Sequence, residues 1–208
     1  MDKFQNKYRI PSARAQWWNY GNAGVYFITI CTQNRIHYFG EIVNVETQSI
    51  ASLQPPPYKM QLSEIGKIAE REWLKTFDMR PDMNLSMGAF VVMPNHFHAI
   101  IAIGENEYNT LHQRQLRDAM HCVSTNTNNG IQTNNKFGPQ SKNLASIIRG
   151  FKMGVTKNAR EINADFQWQS RYHDHIIRDD YEYQRINNYI ETNPENWGQD
   201  KFFKSEEL

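Results

Sequence analysis

The spacing of apolar and polar positions changes several times along the chain, and each change marks an element. Residues 25–32, Val25-Tyr26-Phe27-Ile28-Thr29-Ile30-Cys31-Thr32, are rich in β-branched and aromatic side chains between Gly24 and Asn34, which predicts a strand. A hairpin or loop follows through Gly40, and Pro55-Pro56-Pro57 then stiffens a connection that cannot join a sheet ladder. From Ser63 the period becomes helical through Ile65, Ile68, Ala69, Trp73 and Phe77, with Ser63 as N-cap and Glu64 near the positive helix end. Two extended segments, 85–92 and 96–103, flank Met93-Pro94-Asn95 and predict neighbouring antiparallel strands, the second of them central. Residues 144–162 restore helical spacing through Ile147, Ile148, Phe151, Val155, Ala159 and Ile162. Residues 166–178 read as extended. A last helix starts at Asp179-Asp180, runs through Tyr183, Ile186, Tyr189 and Ile190, and stops at Asn193-Pro194, which puts Tyr189 and Asn193 on one face.

Two stretches fall outside this pattern. Residues 1–23 form a polar N-terminal arm in which Arg9, Arg14, Trp17, Trp18 and Tyr20 interleave charge and rings. Residues 105–143, crowded with Asn126, Asn128, Asn129, Asn134 and Asn135, read as a polar insertion that buries little, with a short helix expected at 111–120. A chain of 208 residues suits one domain, 1–208, carrying both elaborations. The net charge of +1 supplies no global field, so contact with nucleic acid has to come from local clusters. Two cysteines, Cys31 and Cys122, make no disulfide framework, and no signal-peptide or membrane-spanning run is seen. A reducing, cytoplasmic setting is expected.

Candidate chemistry follows from the period of two in strands. His96 and His98 project to one side of their strand and can hold one metal ion, while Phe97, Ala99, Ile101 and Ile103 project to the other and anchor a core. This expectation puts the core on one side and the chemistry on the other. His173-Asp174-His175 repeats the spacing on a second extended segment, with Asp174 as a further potential ligand, and on spacing alone the two pairs are equal candidates. Lys142, Arg149, Lys152, Lys157 and Arg160 cluster on the 144–162 helix or beside it, and Arg171 and Arg178 follow. These cations suit either a solvated face or a row of phosphate contacts.

Three blocks together carry a resemblance: Met93-Pro94-Asn95-His96-Phe97-His98; Trp168-Gln169-x-Arg171-Tyr172-x-Asp174-His175-x-Ile177-Arg178; and Tyr189-Ile190-x-x-Asn193-Pro194. In order and character they resemble the single-tyrosine transposases of the HUH endonuclease superfamily, and most nearly the REP-associated tyrosine transposases, over residues 20–198 apart from the Asn-rich insertion. The resemblance implies an α+β fold with a central antiparallel sheet flanked by helices, of the ferredoxin-like HUH endonuclease type. It implies a divalent metal, Mg2+ or Mn2+, on His96 and His98, completed by Asn193, with Tyr189 as nucleophile. His173, Asp174 and His175 become supporting groups or an alternative metal site. The implied activity is metal-dependent cleavage and strand transfer of single-stranded DNA, with hairpins as partner structures, through a 5′-phosphotyrosine intermediate in transposition or recombination. Two histidines alone favour Mn2+ or a heavier ion over Mg2+. A non-catalytic hairpin-binding protein and a phosphodiesterase using activated water stay open as alternatives, as does the choice between monomer and homodimer.

Overall fold

A computed structural model describes residues 18–44, 58–110 and 141–203, and the backbone of two short strands before them. The helix expected at 111–120 lies outside the described residues, as do much of the N-terminal arm and of the Asn-rich insertion. β1 (Lys3–Phe4) and β2 (Lys7–Tyr8) pair with each other where an irregular arm is expected. β3 (Gly24–Cys31) is the first strand of the main sheet, as its composition predicts. β4 (Gly40–Asn44) and β5 (Tyr58–Leu62) form a separate antiparallel pair that the proline run obscures in the sequence. Pro57 ends just before the ladder begins, so every β5 residue keeps its N–H.

α1 (Glu64–Asp78) starts where Ser63 accepts a hydrogen bond from the Gly66 N–H at 3.0 Å. β6 (Leu85–Met93) turns at Pro94-Asn95 into β7 (His96–Ile103). α2 (Leu144–Ala159) opens with a reciprocal cap between Asn143 and Ser146. It stops short of the predicted residue 162 because its buried stripe ends at Ala159, and Ile162 is exposed. Of the 166–178 stretch, only β8 (His173–Ile177) joins the sheet, with an isolated bridge from Trp168 to Thr32. α3 (Asp180–Glu191) follows.

The main sheet runs β6-β7-β3-β8 with every pair antiparallel. Together with α1 and α2 as crossovers, the order β3-α1-β6-β7-α2-β8 is the ferredoxin-like βαββαβ arrangement. α1 and α2 lie over one face, where Trp73 meets Phe97 at 5.1 Å and Phe151 at 5.3 Å between ring centroids. Each such buried ring contributes roughly 1.5–3 kcal/mol over leaving it exposed, and this face holds most of the core. The other face, which carries His96 and His98, also holds core, where the period of two predicts the core on one side and the chemistry on the other. α3 covers half of it through Ile186 and Ile190 against Ile100 and Ile177, and the chain after α3 covers the rest with Trp197 and Phe202. Gly88, at a bulge in β6, allows close packing here, since a Cβ would sit 2.8 Å from that of Ile100.

Candidate functional site

The β6–β7 turn fixes the first histidine. Asn95 is fully buried, its carbonyl accepting from the Thr32 N–H at 2.9 Å and hydroxyl at 3.0 Å. Its amide Nδ2 donates to the carbonyls of Arg35 and Phe202, at 3.2 and 3.0 Å, which leaves Oδ1 to accept from His96 Nδ1 at 3.0 Å. His96 is thereby held with its proton on Nδ1 and a bare lone pair on Nε2, buried and without a hydrogen-bond partner. His98 Nδ1 is occupied by the Thr29 hydroxyl at 2.8 Å, which turns Nε2 toward the same site, where the Tyr189 hydroxyl is its partner. Both rings are enclosed, with 0% and 1% of their surface exposed. Burial, then the neighbouring His98 ring and Arg35, holds His96 well below the usual histidine range. Burial with Lys201 brings His98 down to about 3. Two neutral imidazoles side by side, 4.5 Å between centroids, suit a metal ion better than they suit protons.

α3 delivers the tyrosine. Asp179 caps it by accepting from the Glu182 N–H at 2.8 Å, and Ile186 and Ile190 bury its inner face. Tyr189, at the edge of that face and 38% exposed, brings its hydroxyl 3.2 Å from His98 Nε2, across 91 residues of sequence. Burial, reinforced by the negative Asp200, pushes its pKa up to about 12. Asn193 sits beyond the C-cap Thr192 rather than on the helix, yet its buried side chain turns back to the same place. Its Nδ2 donates to Asp200 Oδ2 at 3.1 Å, while its Oδ1 is buried with no donor to meet. With the His96 proton on Nδ1, Asn193 Oδ1 and His96 Nε2 are two neighbouring buried acceptors, neither able to donate to the other, and leaving such groups unmet costs about 1–3 kcal/mol each. A divalent cation would satisfy both, so the donor set fits a metal. Among the described residues, His96, His98 and Asp200 each offer a ligand atom, and these atoms lie within 4.8 Å of one another.

The second histidine pair comes to the same face but not to the same point. Thr29 is paired with both His98 and His173, so the three side chains form a row across the sheet. With β3 between them, β7 and β8 run roughly 9–10 Å apart. His173 is exposed, and His175 Nε2 is engaged by Glu182 Oε1 at 2.7 Å. The pleat turns Asp174 to the opposite face, beside Ile28, so it does not join its two neighbours in one ligand set.

The basic residues lie elsewhere. α2 packs on the α1 side of the sheet, which puts Arg149, Lys152, Lys157 and Arg160 across the sheet from the histidines. Arg149, Lys152 and Arg160 line a groove of about 680 Å³ with Gln167, Trp168 and Tyr172. Lys152 donates to the Gln169 carbonyl at 2.6 Å, and Arg160 Nε to the Phe166 carbonyl at 3.2 Å. Lys142 is committed to Asp82 and lies over the Tyr108 ring. Arg171 is exposed in the loop before β8, and Arg178 is exposed just before α3. Reading the sequence alone passes over Asn95, which looks like a turn residue, and Asp200, which no local spacing marks.

No family model matches this chain. Among solved structures it is similar to a REP-associated tyrosine transposase bound to a REP hairpin, with a TM-score of 0.51 and 19% identity over 92% of this chain and 77% of that one. At that identity the likeness is one of fold, an antiparallel sheet with flanking helices. The chain is also 34% identical over 196 residues, 92% of each, to an uncharacterized protein of Haemophilus influenzae. It belongs to the same family as that protein.

Proposed function

We propose that this protein is a metal-dependent single-stranded DNA endonuclease and strand transferase of the tyrosine transposase type. The observation that carries the reading is the approach of the Tyr189 hydroxyl to 3.2 Å from His98 Nε2, beside the bare Nε2 of His96. His96 and His98, with Asn193 Oδ1, would hold the ion. A divalent metal bound there supplies Lewis-acid chemistry, polarising a phosphate and offsetting its charge. The Tyr189 ring stands edge-on to Phe27 and to His98, and Phe27 stacks on His98, which would keep the phenol beside the ion once His98 Nε2 is given to the metal. The Tyr189 oxygen forms a bond to phosphorus as the bond to the 3′-oxygen breaks; the phenol gives up its proton and the 3′-oxygen takes one up. The product is a 5′-phosphotyrosine with a free 3′-hydroxyl, and the phosphodiester energy is kept for rejoining.

A phenol with a pKa near 12 is a weak nucleophile at neutral pH, so this chemistry needs help with the charge. The fold neighbour is bound to a REP hairpin, and a DNA hairpin is the partner inferred here. The groove of Arg149, Lys152, Arg160 and Trp168 offers cations and rings to its backbone on the far side of the sheet.

The test is to incubate the protein with hairpin-containing single-stranded oligonucleotides and Mn2+, then look for a denaturant-resistant protein–DNA adduct. The wild type should form it and Tyr189→Phe should not. Cleavage without an adduct would point to an activated water, and binding without cleavage to a hairpin-binding protein.

A further inference from the structure

We propose that Asp200 is a direct ligand of the metal held by His96 and His98, an anionic oxygen donor brought in by the segment after α3. The inference rests on the metal-dependent reading above and adds a residue to it.

Position comes first. The Asp200 carboxylate lies within 4.8 Å of the ligand nitrogens of both histidines. Ligands on one ion with bonds of about 2.1 Å stand about 3.0 Å apart when adjacent and about 4.2 Å apart when opposite, so an ion would draw the three groups together from their present spacing. The carboxylate is already aimed. Oδ1 accepts from the Phe202 N–H at 2.7 Å and Oδ2 from Asn193 Nδ2 at 3.1 Å, which still leaves lone pairs for a cation. The segment that carries it is fastened to the histidine strand. Phe202 packs on His96 at 4.6 Å and on His98 at 5.8 Å between centroids, and its carbonyl receives Asn95 Nδ2. Asn95 thus fixes both the His96 tautomer and the backbone two residues from Asp200.

Charge supplies the second argument. Two neutral imidazoles and one amide bring no negative charge to an enclosed site, and a buried divalent ion without a counter-charge is costly. The nearby Arg35 and Lys201 worsen this, since both act on the histidines as positive charges. Asp200 brings a carboxylate to this cluster and offsets part of that charge. A hard anionic oxygen also moves a pair of histidines toward Mn2+ and Mg2+ and away from the heavier ions that imidazole alone prefers.

The experiment is Mn2+ binding to the full chain, read from loss of the free-ion signal in electron paramagnetic resonance, for wild type, Asp200→Asn and His96→Ala, with thermal melting to confirm folding. Asp200→Asn should weaken binding at least about tenfold. Loss of an indirect support could also weaken binding, so Asp200→Cys with Co2+ is the direct readout. It should gain a thiolate-to-cobalt charge-transfer band absent from the wild type, whose own Cys31 and Cys122 serve as baseline. Asp200→Asn binding Mn2+ like the wild type, or Asp200→Cys folding and binding Co2+ without the band, overturns the proposal and leaves the histidines and Asn193 as the site. A wild type that binds no Mn2+ overturns the metal reading itself, and this proposal with it.

Discussion

His96-Phe97-His98 and His173-Asp174-His175 are one pattern used twice in one sheet, on strands with only β3 between them, and the two have different surroundings. The first lies on a strand covered on both faces, with each Nδ1 occupied by a neighbour and each Nε2 directed into an enclosed site. The second lies on the edge strand, where His173 is exposed and His175 spends its Nε2 on Glu182. Spacing puts two imidazoles on one face in both places. What makes a ligand of one pair is the group holding the other ring nitrogen, together with the burial that keeps protons off.

The largest effect should separate the two pairs outright. His96→Ala should abolish both Mn2+ binding and DNA cleavage, while His173→Ala should leave Mn2+ affinity within about the twofold scatter usual for a residue outside the site. Calorimetric titration and a gel cleavage assay measure both. Loss of cleavage in His173→Ala with His96→Ala still active would reverse the assignment.

The middle residue sharpens the contrast from the side of stability. Phe97 is fully buried among Trp73, Phe90 and Phe151. Phe97→Ala should cost about 3–5 kcal/mol in denaturant unfolding. Asp174 is only partly buried, and Asp174→Ala should cost clearly less.

That asymmetry also marks what the sequence could tell. The alternation around Phe97 and the helical spacing from Ser63 to Phe77 report burial directly, so the strands, α1 and the βαββαβ order were legible. Gly40-Glu41-Ile42-Val43-Asn44 was not, because a strand of a small separate pair needs too little burial to leave a pattern. The pairing of His98 with Tyr189 was reached through the resemblance rather than through spacing. Asp200 was out of reach. Its place depends on Trp197 and Phe202 folding back over the histidines and on a hydrogen bond from Asn95, and contacts of that range leave no local signature.

Acid should act on the first pair. With a folded pKa of about 3 against an ordinary 6.5, His98 stays neutral in the fold while the unfolded chain takes up the proton first. Its contribution is therefore complete above pH 6.5 and is lost as pH falls toward 3, amounting to about 2 kcal/mol by pH 5. Unfolding in metal-free buffer at pH 7.5 and pH 5 should show this loss, and His98→Gln should flatten the slope. An unchanged slope in that variant would mean the acid sensitivity lies elsewhere.

The smallest effect belongs to the second pair. The Glu182 carboxyl is held below the usual range first by His175 and then by the Arg178 N–H, so its stabilisation is present above the ordinary 4.5 and fades as pH falls. His175 is 41% exposed and solvent screens the pair, so Glu182→Gln, which keeps an acceptor for the Arg178 N–H, should cost roughly 0.5 kcal/mol or less in thermal unfolding at pH 7. Mn2+ affinity should not move. If it falls tenfold while the fold is intact, Glu182 and His175 reach the ion through Phe27, which is paired with His175 and stacks on His98, and the two pairs act as a single site instead of two unlike ones.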